Sequence, residues 1–202
     1  MADTQRFRVL PVPSETGTDE GGYRFLDRET YEPVVLADDG HDAPVADLRE
    51  GYLVDADLDW TTGDPTVESV SVVRPTLYAF ADGVDPMFEA ARETWETAQA
   101  AGEAMNTRVL RNTDGAEVGA VYVFAESGDR GRFEEFRDGS RPLEPLVDRA
   151  NEHRDPAPRE VFVLRGLDGA FTAVAVTLTK GGHLADTMRD TYDRPRPDEP
   201  LV

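Results

Sequence analysis

The stretch Gly51–Trp60, GYLVDADLDW, constrains this chain more than any other. Its apolar residues Val54, Ala56, Leu58 and Trp60 alternate with Asp55, Asp57 and Asp59. Period two puts each set on its own side of an extended chain, whereas a helix would scatter the aspartates around its axis. The stretch is therefore read as a strand with one buried and one hydrated face. Side chains on one strand face are spaced ~6.6–7 Å apart. Ligands of a single ion must approach it to ~2–2.6 Å. Three aspartates in line cannot close on one ion unaided, so the row reads as hydrated surface and not as a metal site.

The first 80 residues continue in this style. RFRVLPV (6–12), Tyr23–Leu26 and Tyr31–Leu36 are further strand candidates, and TTGDPT is a turn by composition. The run VESVSVVRPTLYAF (67–80) is β-rich and interrupted by Pro75, where it should bend or lie at an edge. Short strands, polar turns and no helix predict a small closed barrel of the OB or SH3-like type over residues 1–83. An α+β domain is expected over 84–192, followed by an extended Pro-rich tail, 193–202.

The second domain opens with the clearest helix. Asp85 is a fitting N-cap and Pro86 a fitting first residue. Phe88, Ala91, Trp95, Ala98 and Met105 recur at helical spacing, predicting a helix over about 86–104. A short repeat follows: VLRNTDGA from Val109 and VLRGLDGA from Val163 agree at six of eight positions. Each Asp-Gly joins two apolar runs, a strong hairpin signal. Each hairpin leads through a Gly-containing turn into a helical pattern, FEEF and HLADTMRDTY, with another helix near Glu144–Asn151. The expectation is a helix and then two ββα units on one antiparallel sheet of four strands, with helices on one face.

Charge speaks to habitat more than to function. The chain has 41 acids against 21 bases, a net −20. Twenty of the bases are Arg and one is Lys180, while Asp, at 23, outnumbers Glu, at 18. Short hydrated carboxylates hold water and K+ in concentrated salt, where long Lys stems would add apolar surface. A charge of −20 is tolerable where the Debye length shrinks to ~3 Å near 1 M salt. The composition predicts a protein of a high-salt cytoplasm. MADTQRF has no leader pattern and no apolar run approaches spanning length, so no membrane association is expected.

Catalytic signals are sparse. With no cysteine, thiol chemistry and thiolate metal sites are excluded. GxSxG is absent, and Ser127 and Ser140 have no local His partner. Of three histidines, His41 and His153 read as loop and helix-end residues, and His183 lies at a helix start with Asp186 and Asp190 on its face. No cofactor or metal is implied. Two binding constellations remain. Arg6, Arg8, Tyr23 and Arg24, interleaved with Phe7 and Phe25, form an Arg/aromatic surface of the kind that stacks single-stranded RNA on a barrel. Arg130, Arg132, Lys180 and His183 flank two Gly turns, SGDRGR and KGG, whose N–H groups suit a small anion.

GYLVDADLDW, SVVRPTLYAF, MFEAARETWETAQAAGEAMNTRV, VYVFAE and FEEFRDGSRPLEPLVDR together resemble a haloarchaeal family of about 200 residues with no assigned function. The resemblance implies a high-salt habitat and no catalytic residue. The functional expectation is a non-catalytic binding protein, with single-stranded RNA on the barrel as leading partner. A protein–protein adaptor and a small-anion-binding protein or enzyme at the Gly turns are the alternatives.

Overall fold

A computed structural model describes residues 4–11, 22–61, 63–126, 131–152 and 154–202. It divides into two compact units, and the chain contributes to each more than once. Unit 1 holds residues 1–76 with 137–142 and 197–202; unit 2 holds 77–136 and 143–196.

Unit 1 is an antiparallel sheet of β1 (Gln5–Pro11), β2 (Tyr23–Asp27), β3 (Pro33–Val35), β4 (Leu53–Asp59) and β5 (Thr66–Arg74) in the order β3-β2-β1-β4-β5. Phe7, Val9, Phe25, Val54, Ala56 and Val67 are fully buried, and Phe7 and Phe25 pack with ring centroids 5.3 Å apart. The sheet is open, with β3 and β5 as its edges, and is not the expected closed barrel. The physical reason lies at Pro75. Closure needed the run 67–80 as one bent strand, but β5 stops at Arg74 and the residues beyond Pro75 join another sheet.

Those residues form β6 (Leu77–Val84), the first element of unit 2. It is followed by α1 (Glu89–Ala101), β7 (Met105–Arg111), β8 (Glu117–Ala125), α2 (Gly131–Asp138), α3 (Glu144–Asn151), β9 (Glu160–Gly166), β10 (Phe171–Thr177) and α4 (His183–Thr191). Pro86 precedes α1, whose N-cap is the extended Phe88. The sheet order is β6-β9-β10-β8-β7, antiparallel except for the parallel pair β6–β9. It therefore has five strands and is mixed, where four antiparallel strands were expected.

Helices cover both faces of this sheet, which corrects the one-faced sandwich. Ala91 of α1 and Ala185 and Met188 of α4 join Val121, Val123, Phe162, Ala173 and Ala175 in one cluster. On the opposite face, α2 sets Phe133 and Phe136 against Phe80 and Phe124, at 6.2 and 5.3 Å between centroids. The cause is legible in VFVLRG and FTAVAVT. Strands that are apolar at nearly every position must be buried on both sides, and β10 is buried along its whole length.

Both Asp-Gly hairpins form, as β7–β8 and β9–β10. They lie side by side with β8 against β10, and the register sets Val121 opposite Ala175. These residues are as far apart in sequence as Val109 and Val163, so the hairpins are related by a local two-fold through that pair. The helices depart from it: α2 and α4 follow equivalent strands but pack on opposite faces.

Candidate functional site

Strand pairing in unit 1 decides what Arg6, Arg8, Tyr23 and Arg24 can do. β1 and β4 set Arg6 opposite Asp55, and the guanidinium grips that carboxylate through Nε (2.7 Å) and Nη2 (2.9 Å). This bond, with the attraction behind it, holds the Asp55 carboxyl below its usual range. Arg8 is 1% exposed and donates Nη1 to Gly51 O at 2.7 Å. Tyr23 donates its hydroxyl to Leu48 O (3.0 Å), and Arg24 donates Nη1 to Asp138 O (2.6 Å). With Phe7 and Phe25 buried, this constellation is part of the framework of unit 1.

The same holds for the aspartate row. Asp57 accepts from Thr4 Oγ1 (2.7 Å) and Ser69 Oγ (2.6 Å), and Asp59 caps a turn through Thr61 N and Oγ1. His41 ties the loop before β4 to β5. Its Nδ1 accepts from Val67 N at 3.1 Å, so the ring proton sits on Nε2, 2.9 Å from Ala37 O. Beside it Asp39, Asp42, Asp59, Asp64 and Glu68 line a cleft of about 500 Å³. Among the described residues no three His, Asp or Glu side chains converge as a metal site.

Unit 2 contains the two Gly turns. Arg132 lies at the first and pairs with Glu135 at 2.6 Å; Arg130 and His153 lie outside the described residues. Lys180 and exposed His183 lie at the second. Arg132 does not share one site with Lys180 and His183. β8 and β10 are antiparallel with Ala125 opposite Phe171 and Gly119 opposite Thr177. At ~3.3 Å per residue the end of β8 and the end of β10 stand roughly 20 Å apart, at opposite ends of the sheet.

Each turn holds a carboxylate from the chain itself. Glu126 accepts from Arg132 N (2.7 Å) and Phe133 N (3.1 Å), the free donors that open α2, and from the Thr172 hydroxyl. Gly131 has φ +74°, a conformation that favours glycine, and a Cβ there would stand 2.5 Å from Glu126 Oε2 and push on that carboxylate. Glu160, fully buried, accepts from Gly181 N (2.8 Å), Arg189 Nε (2.6 Å) and Arg196 Nη2 (2.7 Å). Burial pushes its carboxyl up, but the Gly181 N–H and the two arginines outweigh that and hold it below its usual range. Arg189 also lies over the Phe162 ring at 5.3 Å, and Asp186 turns to Arg196 (2.7 Å) rather than to His183. The turn chemistry is that of an anion site, with an internal carboxylate as the anion.

Sequence reasoning missed Glu126 and Glu160 as the groups that fill these turns. The signal was present in EVFVLRG, where an acid heads a strand whose other positions demand burial, and in AESGDR, where an acid just precedes a Gly turn and a helix.

These units define a mixed α+β protein. The chain belongs to the family described as "Family of unknown function (DUF6663)", which matches residues 1–197. No curated protein matches it, and no solved structure does. Among the described residues no helix is long and apolar enough to cross a membrane.

Proposed function

We propose that this protein is a non-catalytic protein-interaction module of a high-salt cytoplasm. The observation that carries this reading is where apolar side chains remain uncovered. Met105 and Val109 on edge strand β7 are each 49% exposed, although the rest of that sheet is packed between helices. Exposed apolar surface on an unpaired strand invites another chain. The habitat rests on composition, and K+ and water would occupy the acidic cleft.

The single-stranded RNA reading has weaker support, because Arg6, Arg8, Tyr23 and Arg24 all serve internal contacts. One experiment separates the two. A tagged chain is recovered from a lysate kept in molar KCl, with protein and RNA both sequenced before and after nuclease. A defined protein that survives nuclease supports the interaction module. RNA that is enriched with wild type and lost with a folded Arg6→Ser variant would replace it with the nucleic-acid reading. Melting in rising KCl tests the habitat: Tm should climb steadily into the molar range.

A further inference from the structure

We infer that β7 pairs with β7 of a second copy of this chain, antiparallel about a two-fold axis at Thr107, which joins two five-stranded sheets into one of ten. The inference rests on the interaction-module reading and names its partner.

Edge strands are normally guarded against pairing by shortness, proline, charge, bulges or cover. β3 has three residues and begins with Pro33. The β4–β5 ladder is irregular at two points, and exposed Glu68 lies on β5. β6 is irregular near Gly83, and Arg194 Nε donates to Phe80 O at 2.8 Å. β7 differs from all three. MNTRVLR is seven residues long without proline, lysine or acid, and its one irregularity lies at its far end. Its two arginines are neutralised locally, Arg108 by Glu93 and Arg111 by Glu117.

The backbone of β7 shows which groups face outward. Ala104 O accepts from Ala125 N of the neighbouring chain segment, which turns residues 104, 106, 108 and 110 toward β8. Met105, Thr107 and Val109 then point their N–H and C=O groups away from it. Thr107 N–H is met by the Asn106 side chain at 2.8 Å, a bond an incoming strand would replace.

The sequence of β7 is complementary to itself in one register. With the axis at Thr107, Met105 faces Val109 of the second copy, and Val109 faces its Met105. Thr107 meets Thr107, a favourable cross-strand pair. Exposed Glu103 comes opposite Arg111, and Arg111 opposite Glu103. Moving the axis to Arg108 sets two guanidinium groups face to face, and moving it to Asn106 sets Glu103 against Val109. Of these three registers, the Thr107 one satisfies apolar and charged positions together.

The absence of cysteine makes this directly testable. In a hydrogen-bonded antiparallel pair the Cα atoms lie about 5.5 Å apart, within disulfide range. The Thr107→Cys chain should therefore form a covalent dimer under mild oxidation in molar KCl, faster than a control with cysteine at exposed Leu167. By light scattering, wild type should have twice the 22.3 kDa chain mass. Thr107→Pro should halve it, since it removes an outward N–H and leaves the ladder with β8 intact. Near-ultraviolet circular dichroism verifies that this variant is folded, and the cysteine test does not depend on it. A monomeric wild type, a dimer that persists in folded Thr107→Pro, or crosslinking at Thr107→Cys no faster than at Leu167→Cys overturns the inference. A monomer that still captures a defined protein sinks this pairing but leaves the interaction-module reading standing.

Discussion

Two ion pairs, one from each unit, hold their charges in opposite surroundings. In unit 1 the ion pair Arg6–Asp55 stands on a solvent-washed face, with 50% and 29% of the side chains exposed. In unit 2 Glu160 and Arg189 are 0% and 7% exposed and lie among helices and strands. The first sheet leaves the part of its face around Arg6 and Asp55 wet, although Arg8 two residues along β1 is buried; the second is apolar on both faces, and one acid enters it with its donors supplied. An exposed charge needs its partner little, whereas a buried one depends on it.

Glu160→Ala is the change that should separate the two sheets most. It leaves Arg189 and Arg196 facing one another around an empty position, and breaking a buried pair from one side costs about 3–5 kcal/mol. Denaturant titration in molar KCl should show that loss. A change below about 1 kcal/mol would mean that Glu160 behaves like the surface pairs of unit 1.

Gly119→Ala probes the same interior without touching charge. A Cβ there would stand 2.7 Å from Val176 O, a backbone atom, and 3.1 Å from Leu184. β8 and β10 would have to separate, at about 1–3 kcal/mol. An unchanged unfolding midpoint would show that the seam between the two hairpins is looser than its register implies.

Acid should reach the buried pair through Glu160. Its folded pKa is lowered from 4.5, so its stabilisation is complete above that value and lost as pH falls through the folded one. Wild type should lose stability on acidification below about pH 4.5, and Glu160→Gln should lack that part of the slope. Asp55 shifts in the same direction from 3.8, but its exposed pair gives a smaller amplitude. Equal slopes in wild type and Glu160→Gln would mean that other carboxylates carry the acid response.

How much of this was legible depended on whether a signal was local. GYLVDADLDW became β4, the Asp-Gly runs became hairpins, and HLADTMRDTY became a helix from His183, because period and turn chemistry act over a few residues. Closure of the first sheet was not local. It depended on which strand the residues beyond Pro75 would join, and parallel pairing with β9 lies more than 80 residues away. The Gly turns were read as backbone donors for a bound anion, and the N–H groups of Arg132, Phe133 and Gly181 are met by carboxylates of the chain itself. That Glu126 and Glu160 would supply them required knowing which acids end up under the helices. Continuous apolar β9 and β10 did announce cover on both faces, a signal that outweighs the habit of placing helices on one side of an antiparallel sheet.

The smallest effect belongs to the opposite member of the comparison. A double-mutant cycle on Arg6 and Asp55, with serine and asparagine as replacements, should return about 0–1 kcal/mol of coupling at low salt. The geometry is favourable, since the bond is bidentate and the residues are direct cross-strand partners. Solvent screening works against it. As KCl rises toward 1 M the Debye length falls to ~3 Å, close to the 2.7 Å bond itself, so the coupling should shrink while the Glu160 effect changes little. Salt therefore acts as the discriminating variable. If the Arg6–Asp55 coupling held constant from low to molar KCl, the pair would be shielded from solvent, and the contrast between a wet first sheet and a dry second one would fail at its clearest point.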